Sequence, residues 1–148
     1  MTAFIKGKVQ KGLGESSNTV KEQMPYFKNC FPEVTSCKAA TINILLEKPL
    51  VVLSPDFTTE PLPWHPAFKV VKGGEVFQFL RIKLRVEGCP EVAAWIYKAQ
   101  FSPYQNNPYY IEVLAPQLNF NGTPNCEISV SGNCSEGYVV MGESKRSA

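Results

Sequence analysis

Histidine is nearly missing from this chain: His65 is the single one among 148 residues. A Ser/His/Asp or Cys/His catalytic arrangement would have to be built around that one side chain. Its setting, "LPWHPAF", places it between tryptophan and prolines and predicts a packed loop residue instead. Cysteine is present but unorganised. The five residues Cys30, Cys37, Cys89, Cys126 and Cys134 are odd in number and contain no C-x-x-C spacing. A tetrahedral zinc site would therefore need scattered thiols, and reduced, mostly buried cysteines are the simpler reading. Long apolar runs are also missing. No window approaches the roughly 20 residues of a membrane-spanning helix, and "MTAFIKGKVQ" has no apolar signal-like stretch, so the expectation is a cytoplasmic protein that touches no membrane. Excess charge is missing as well. A formal net charge of +2 gives no electrostatic basis for binding nucleic acid.

The chain is rich in strand signals and turn residues. Twelve prolines and ten glycines disfavour a helical bundle. "AFIKGKVQ" alternates apolar and polar residues, as a half-buried strand does. "TINILLE", "LVVLS", "AAWIYKAQF", "YYIEVLAP" and "CEISVSG" read as further strands. In "FKVVKGGEVFQFLRIKLRV", Gly73-Gly74 predicts a hairpin turn with positive φ. Beyond it, Leu80, Ile82, Leu84 and Val86 share one face, and Arg81, Lys83 and Arg85 share the other, which reads as a solvated outer surface. One helix is expected near "VKEQMPYFKNCF", beginning around Pro25 with the proline in its first turn. Many short strands and one early helix predict a mainly β fold, a small closed barrel. The expected organisation is a single domain over residues 1–132 and a partly disordered C-terminal extension over residues 133–148.

Three segments carry candidate chemistry. In "KGLGESS", Gly12, Leu13 and Gly14 can present backbone N–H groups to an anion such as a phosphate, with Glu15 beside them to hold a ribose hydroxyl or a base amine. The plainer reading is a strand-to-loop turn. Thr41 and Asn43 are two residues apart, so in a strand their oxygens leave the same face and suit a magnesium ion that also holds phosphates. The plainer reading is a good strand former beside a turn former. Glu112, a carboxylate in an otherwise apolar strand, could take a proton from a substrate hydroxyl or simply face water.

Taken in order, "GKVQKGLGES", "AATINILL" and "YYIEVLAP" resemble the opening glycine loop, the P-G-T-L-N segment and the late E-[IV]-[IL]-A-P strand of the archaeal CTP-dependent riboflavin kinases. The resemblance implies a closed six-stranded cradle-loop β-barrel with one short helix inserted after the first strand. It implies transfer of a phosphoryl group from CTP to riboflavin, giving FMN and CDP, with Mg2+ as cofactor. By that resemblance Gly12, Leu13, Gly14 and Glu15 face the nucleotide, Thr41 and Asn43 hold the metal from an open cleft, and Glu112 is the candidate base. Ala39-Ala40 stand where the family has Pro-Gly, Ser16 where it has a third glycine, and "QNNP" where it has histidines. These departures keep a second expectation in place: a non-catalytic barrel of the same fold that binds a nucleotide or small ligand. An interaction domain built on the aromatic loops around Trp64 and Tyr109 is the third.

Overall fold

The structure is a computed structural model that describes residues 2–11, 16–52, 54–66, 73–102, 106–135 and 138–141. Its strands are β1 (Thr2–Gln10), β2 (Ile42–Leu46), β3 (Leu50–Val52), β4 (Phe57–Thr58), β5 (Phe77–Val86), β6 (Val92–Ala99), β7 (Tyr110–Leu114), β8 (Asn125–Ser135) and β9 (Tyr138–Met141). The α-helix α1 (Ser16–Cys30) and a 3-10 turn (Pro32–Ser36) lie between β1 and β2. The fold is mainly β with one helix among the described elements, as composition predicts.

Antiparallel pairing runs β8–β1–β2–β7–β6–β5, and β5 pairs in turn with β8, so these strands form a ring. The closing contact sets Lys83 opposite Ser129 and Val86 opposite Cys126. Closure leaves none of these strands with a full unpaired edge. Strand β4 adds to β5, while β9 joins the far end of β8 and takes β3 as a parallel partner. The region assigned to a C-terminal extension thus carries the end of β8 and all of β9.

Alternation along the strands sorts residues into two apolar clusters. Ile5, Val9, Ile44, Leu80, Ile82, Leu84, Ile96, Ile111, Val113 and Ile128 pack together on the inner face. The outer face of β5, β6 and β7 contributes Phe77, Phe79, Trp95, Tyr97 and Leu114, and α1 with the 3-10 turn covers it with Val20, Phe27, Phe31 and Val34. Phe27 is fully buried and meets Phe77 and Phe79 edge-on at 5.0 and 5.1 Å. Phe31 stacks on Phe57 at 4.5 Å. Such pairs add about 0.5–1.5 kcal/mol each beyond their buried area, so aromatic packing is what seats the helix.

The helix is longer than predicted, and Pro25 lies in its middle rather than in its first turn. Val20, Gln23, Met24, Phe27 and Phe31 recur at intervals of three and four on the covered face. Their burial outweighs the interior proline. Pro25 and Lys21 are exposed, so the carbonyl that loses its helical donor can turn to water.

On β5 the side chains of Arg81, Lys83 and Arg85 are exposed and the alternate residues buried. Arg81 lies over the Trp95 ring at 4.9 Å, and Arg85 pairs with Glu127 at 2.6 Å. The Gly-Gly turn has the predicted positive φ, 76° at Gly73 and 142° at Gly74. Residues 68–72, expected as the first arm of its hairpin, lie outside the described residues; the pairing seen is an isolated bridge between Leu62 and Glu75. A Cβ on Gly74 would stand 2.4 Å from the Leu62 backbone carbon, whereas one on Gly73 would meet nothing within 4 Å. Gly73→Ala should cost about 1 kcal/mol from the left-handed backbone alone. Gly74→Ala should cost several times that, because backbone must move, and urea denaturation of the two variants checks the ordering.

Candidate functional site

Registers on the outer face place one row of side chains across the sheet. Gln10 of β1 faces Asn43 of β2, Asn43 faces Glu112 of β7, and Glu112 faces Tyr97 of β6. Side chains directly opposite in antiparallel strands stand about 5 Å apart at Cβ. Asn43 and Glu112, remote from each other in the chain, are therefore neighbours. Gln10 is the last residue of β1, and it stands opposite Asn43. Gly12, Leu13, Gly14 and Glu15 lie outside the described residues.

Thr41 precedes β2, and its hydroxyl donates to Asn43 Oδ1 at 3.3 Å. The two oxygens are on one side of the strand, as their spacing predicts. Asn43 does not lie in the open cleft expected for it. It is 7% exposed, because β1 and β7 flank it on both sides and Leu114 begins the helix-covered cluster a short step along β7.

Glu112 is half-buried and accepts a hydrogen bond from Ser102 Oγ at 2.8 Å. Its carboxyl is pushed above the usual carboxylate range, mainly by desolvation. The Ser102 bond opposes the shift, and the charge of Glu75 adds to it. Tyr97, its cross-strand neighbour, is 4% exposed and donates to Gln23 Oε1 of α1 at 2.6 Å. Burial, then the Glu112 and Glu75 carboxylates, hold the phenol well above its ordinary value, so it stays a protonated donor. A recess of about 30 Å³ opens beside this pair, lined by Tyr97, Lys98, Ser102, Asn107, Tyr110 and Glu112 among others. That volume admits a group of roughly the size of one or two waters. A substrate hydroxyl fits it; a whole ring system does not.

The chemistry available is general base catalysis by Glu112, with Lys98 the cation among the described lining residues and neutral oxygens from Thr41 and Asn43 close along the row. Among the described residues no three His, Cys, Asp or Glu side chains cluster as metal ligands. A cation here would rest on neutral oxygens and at most one carboxylate, a ligand set suited to magnesium rather than zinc.

Sequence reasoning missed Gln23, Glu75, Tyr97 and Ser102. Glu75 offered one signal, a carboxylate directly after a Gly-Gly turn and before an aromatic strand; the others are polar residues inside ordinary apolar patterns. His65 packs edge-on against Trp64 at 5.4 Å, as its setting suggests, but its side chain is exposed. Cys30, Cys37, Cys89 and Cys126 are free thiols, and burial pushes Cys37 and Cys126 up to about 11. Of the two aromatics suggested for partner binding, Tyr109 is exposed, while Trp64 spends its indole N–H on Glu75. No family model matches the chain, and no curated protein matches it.

The raised pKa of Glu112 has a consequence for folding. Between the ordinary carboxylate value and the raised one, the folded state holds a proton that the unfolded state has lost, so stability falls as pH rises through that window. Glu112→Gln keeps an acceptor for Ser102 and has no charge to desolvate. Its stability relative to wild type should therefore improve as pH rises from about 4 and level off once the raised midpoint is passed, as read by urea midpoints at each pH.

Proposed function

We propose that this protein is a magnesium-dependent phosphotransferase of the CTP-dependent riboflavin kinase type, built on a closed cradle-loop barrel. The observation that carries this reading is the row Gln10–Asn43–Glu112, which brings the ends of three sequence-distant segments to one place on the ring. Those segments are the ones whose residues resemble that family.

The residues present fit a hard cation. Adjacent ligands of an octahedral ion at about 2.1 Å stand about 3 Å apart, and Thr41 Oγ1 and Asn43 Oδ1 are 3.3 Å apart. These two side chains would hold the ion, which when bound supplies positive charge against the nucleotide phosphates. Gly12, Leu13 and Gly14 would give backbone N–H groups to the same phosphates, with Glu15 on the sugar or base. Phosphoryl transfer asks little covalent help of the protein, so position and charge neutralisation account for most of the work. Glu112 accepts the proton of an acceptor hydroxyl seated in the recess. The hydroxyl oxygen attacks the terminal phosphorus of CTP, a new P–O bond forms, and the bond to the leaving CDP breaks. Ser102 holds one Glu112 oxygen in place while the other meets the hydroxyl. Riboflavin, with its primary 5′-hydroxyl, is the acceptor implied by the resemblance.

One observation favours a second reading, a ligand-binding domain without catalysis. Asn43 is nearly buried and its amide oxygen already accepts the Thr41 hydroxyl. Thermal shifts separate the two. A ligand at about 100 times its dissociation constant stabilises by roughly 2.7 kcal/mol, so stabilisation by CTP with no turnover favours the binding domain.

The direct experiment incubates the protein with riboflavin, magnesium and each of CTP, ATP, GTP and UTP, and detects FMN by chromatography. FMN formed with CTP is the expected result; none with any nucleotide refutes the enzyme reading. Thr41→Val keeps the β-branched shape without the oxygen and should lower kcat/KM by about 100-fold or more. Asn43→Ala should do the same. It should also cost about 1–2 kcal/mol of stability, because the nearly buried Asn43 amide and its hydrogen bond with Thr41 are lost.

A further inference from the structure

Glu75 is among the most buried charged residues described, at 2% exposure, and it lies off the strand row that builds the site. A carboxylate is costly to bury unless its oxygens are bonded, and both oxygens here are. Oε1 accepts the Trp64 indole N–H at 2.9 Å, and Oε2 accepts the Phe101 backbone N–H at 2.7 Å. Its own backbone pairs with Leu62 in both directions, at 2.9 and 3.0 Å. One side chain thereby ties the segment carrying Leu62 and Trp64 to the turn that follows β6.

That turn is the one that serves Glu112. Phe101, held by Glu75, is followed by Ser102, whose hydroxyl donates to Glu112 Oε2. The turn has two further ties, Gln100 N–H to Val76 at 3.0 Å and Ser102 N–H to Ala99 at 3.0 Å. Gln100 Oε1 also accepts the Val76 N–H at 3.0 Å. Among these, the Glu75 carboxylate is the side-chain contact made directly to the residue beside Ser102. The ionisable groups acting on Glu112 are Tyr97 across the strand pair and Glu75 through its field, and Lys98 also lines the recess.

We propose that Glu75 is a positioning residue for Glu112: its buried carboxylate clamps the Phe101–Ser102 turn so that the Ser102 hydroxyl is held against one oxygen of Glu112. As a contribution to turnover, this rests on the phosphotransferase reading; as a statement about Glu112, it does not. The clamp acts through geometry and the carboxylate also acts through charge, and the two effects on Glu112 have opposite signs. Losing the Ser102 bond raises the Glu112 titration midpoint, while losing the Glu75 charge lowers it.

Glu75→Asp separates them, because it keeps the charge and shortens the reach. Carboxyl carbon NMR can follow Glu112 through a pH titration in wild type, Ser102→Ala, Glu75→Asp and the double variant. Ser102→Ala should raise the midpoint, and Glu75→Asp should raise it by a similar amount. In the double variant the second change should add nothing, since it acts through a bond already removed. An unmoved midpoint in Glu75→Asp, or additive shifts in the double variant, overturns the proposal. If Glu75→Asp does not fold, the wild-type Phe101 amide decides the question by hydrogen exchange. Phe101 itself is 38% exposed, so exchange at least tenfold slower than an unbonded amide supports the clamp, and unprotected exchange overturns it. For turnover, Glu75→Asp should lower kcat about tenfold and leave the KM for CTP unchanged. Absence of FMN from the wild type would defeat the phosphotransferase reading and leave the NMR result standing.

Discussion

Strand β8 hydrogen-bonds to β1 along one edge and to β5 along the other, and the rest of the architecture depends on that double pairing. Without it the sheet would be an open strip from β1 to β5 with two long edges. With it, the inward residues of six strands meet one another, and Ile44, Leu84, Val113 and Ile128 reach complete burial. Register follows from the same contact. A slip of one residue would turn the Leu80–Val86 set outward and bring Arg81, Lys83 and Arg85 into the apolar interior, at a cost of several kcal/mol for each unpaired charge.

A closed inner face leaves the outer face to be partitioned. Half of it, over β5 and β6, carries aromatics that α1 and the 3-10 turn cover, and Phe27 fills the space between Phe77, Phe79 and Tyr97. The edge of that cover falls along the Asn43–Glu112–Tyr97 row. Polar groups at such a boundary lose water without gaining a full apolar environment, which is why the Glu112 carboxyl holds its proton to higher pH and why Tyr97 must find Gln23.

The polar contacts described around this boundary are specific. Ser102 on Glu112, Trp64 and Phe101 on Glu75, and Tyr97 on Gln23 each join segments remote in sequence or held by a turn. Inside low-dielectric surroundings such bonds are stronger than in water, and an unpaired member is correspondingly costly. They set the position of Glu112 more tightly than the strand alone would.

Local pattern in the sequence determined the mainly β character, the inner and outer faces of β5, the positive-φ glycine turn and the shared face of Thr41 and Asn43. Each of these follows from steric or period-two rules that act within a few residues. The extent of α1 escapes such rules because Pro25 is a strong local signal, and the burial of Phe27 and Phe31 that overrides it comes from strands remote in the chain. Many short strands predict closure, but the β8–β5 contact that makes the ring, the pairing of Asn43 with Glu112, the near burial of Asn43 and the roles of Gln23, Glu75, Tyr97 and Ser102 belong to the tertiary structure alone. A carboxylate in an apolar strand reads the same in sequence whether it faces water or a recess. Only the strands and turn packed around it decide how much water it loses, and with it the chemistry open to Glu112.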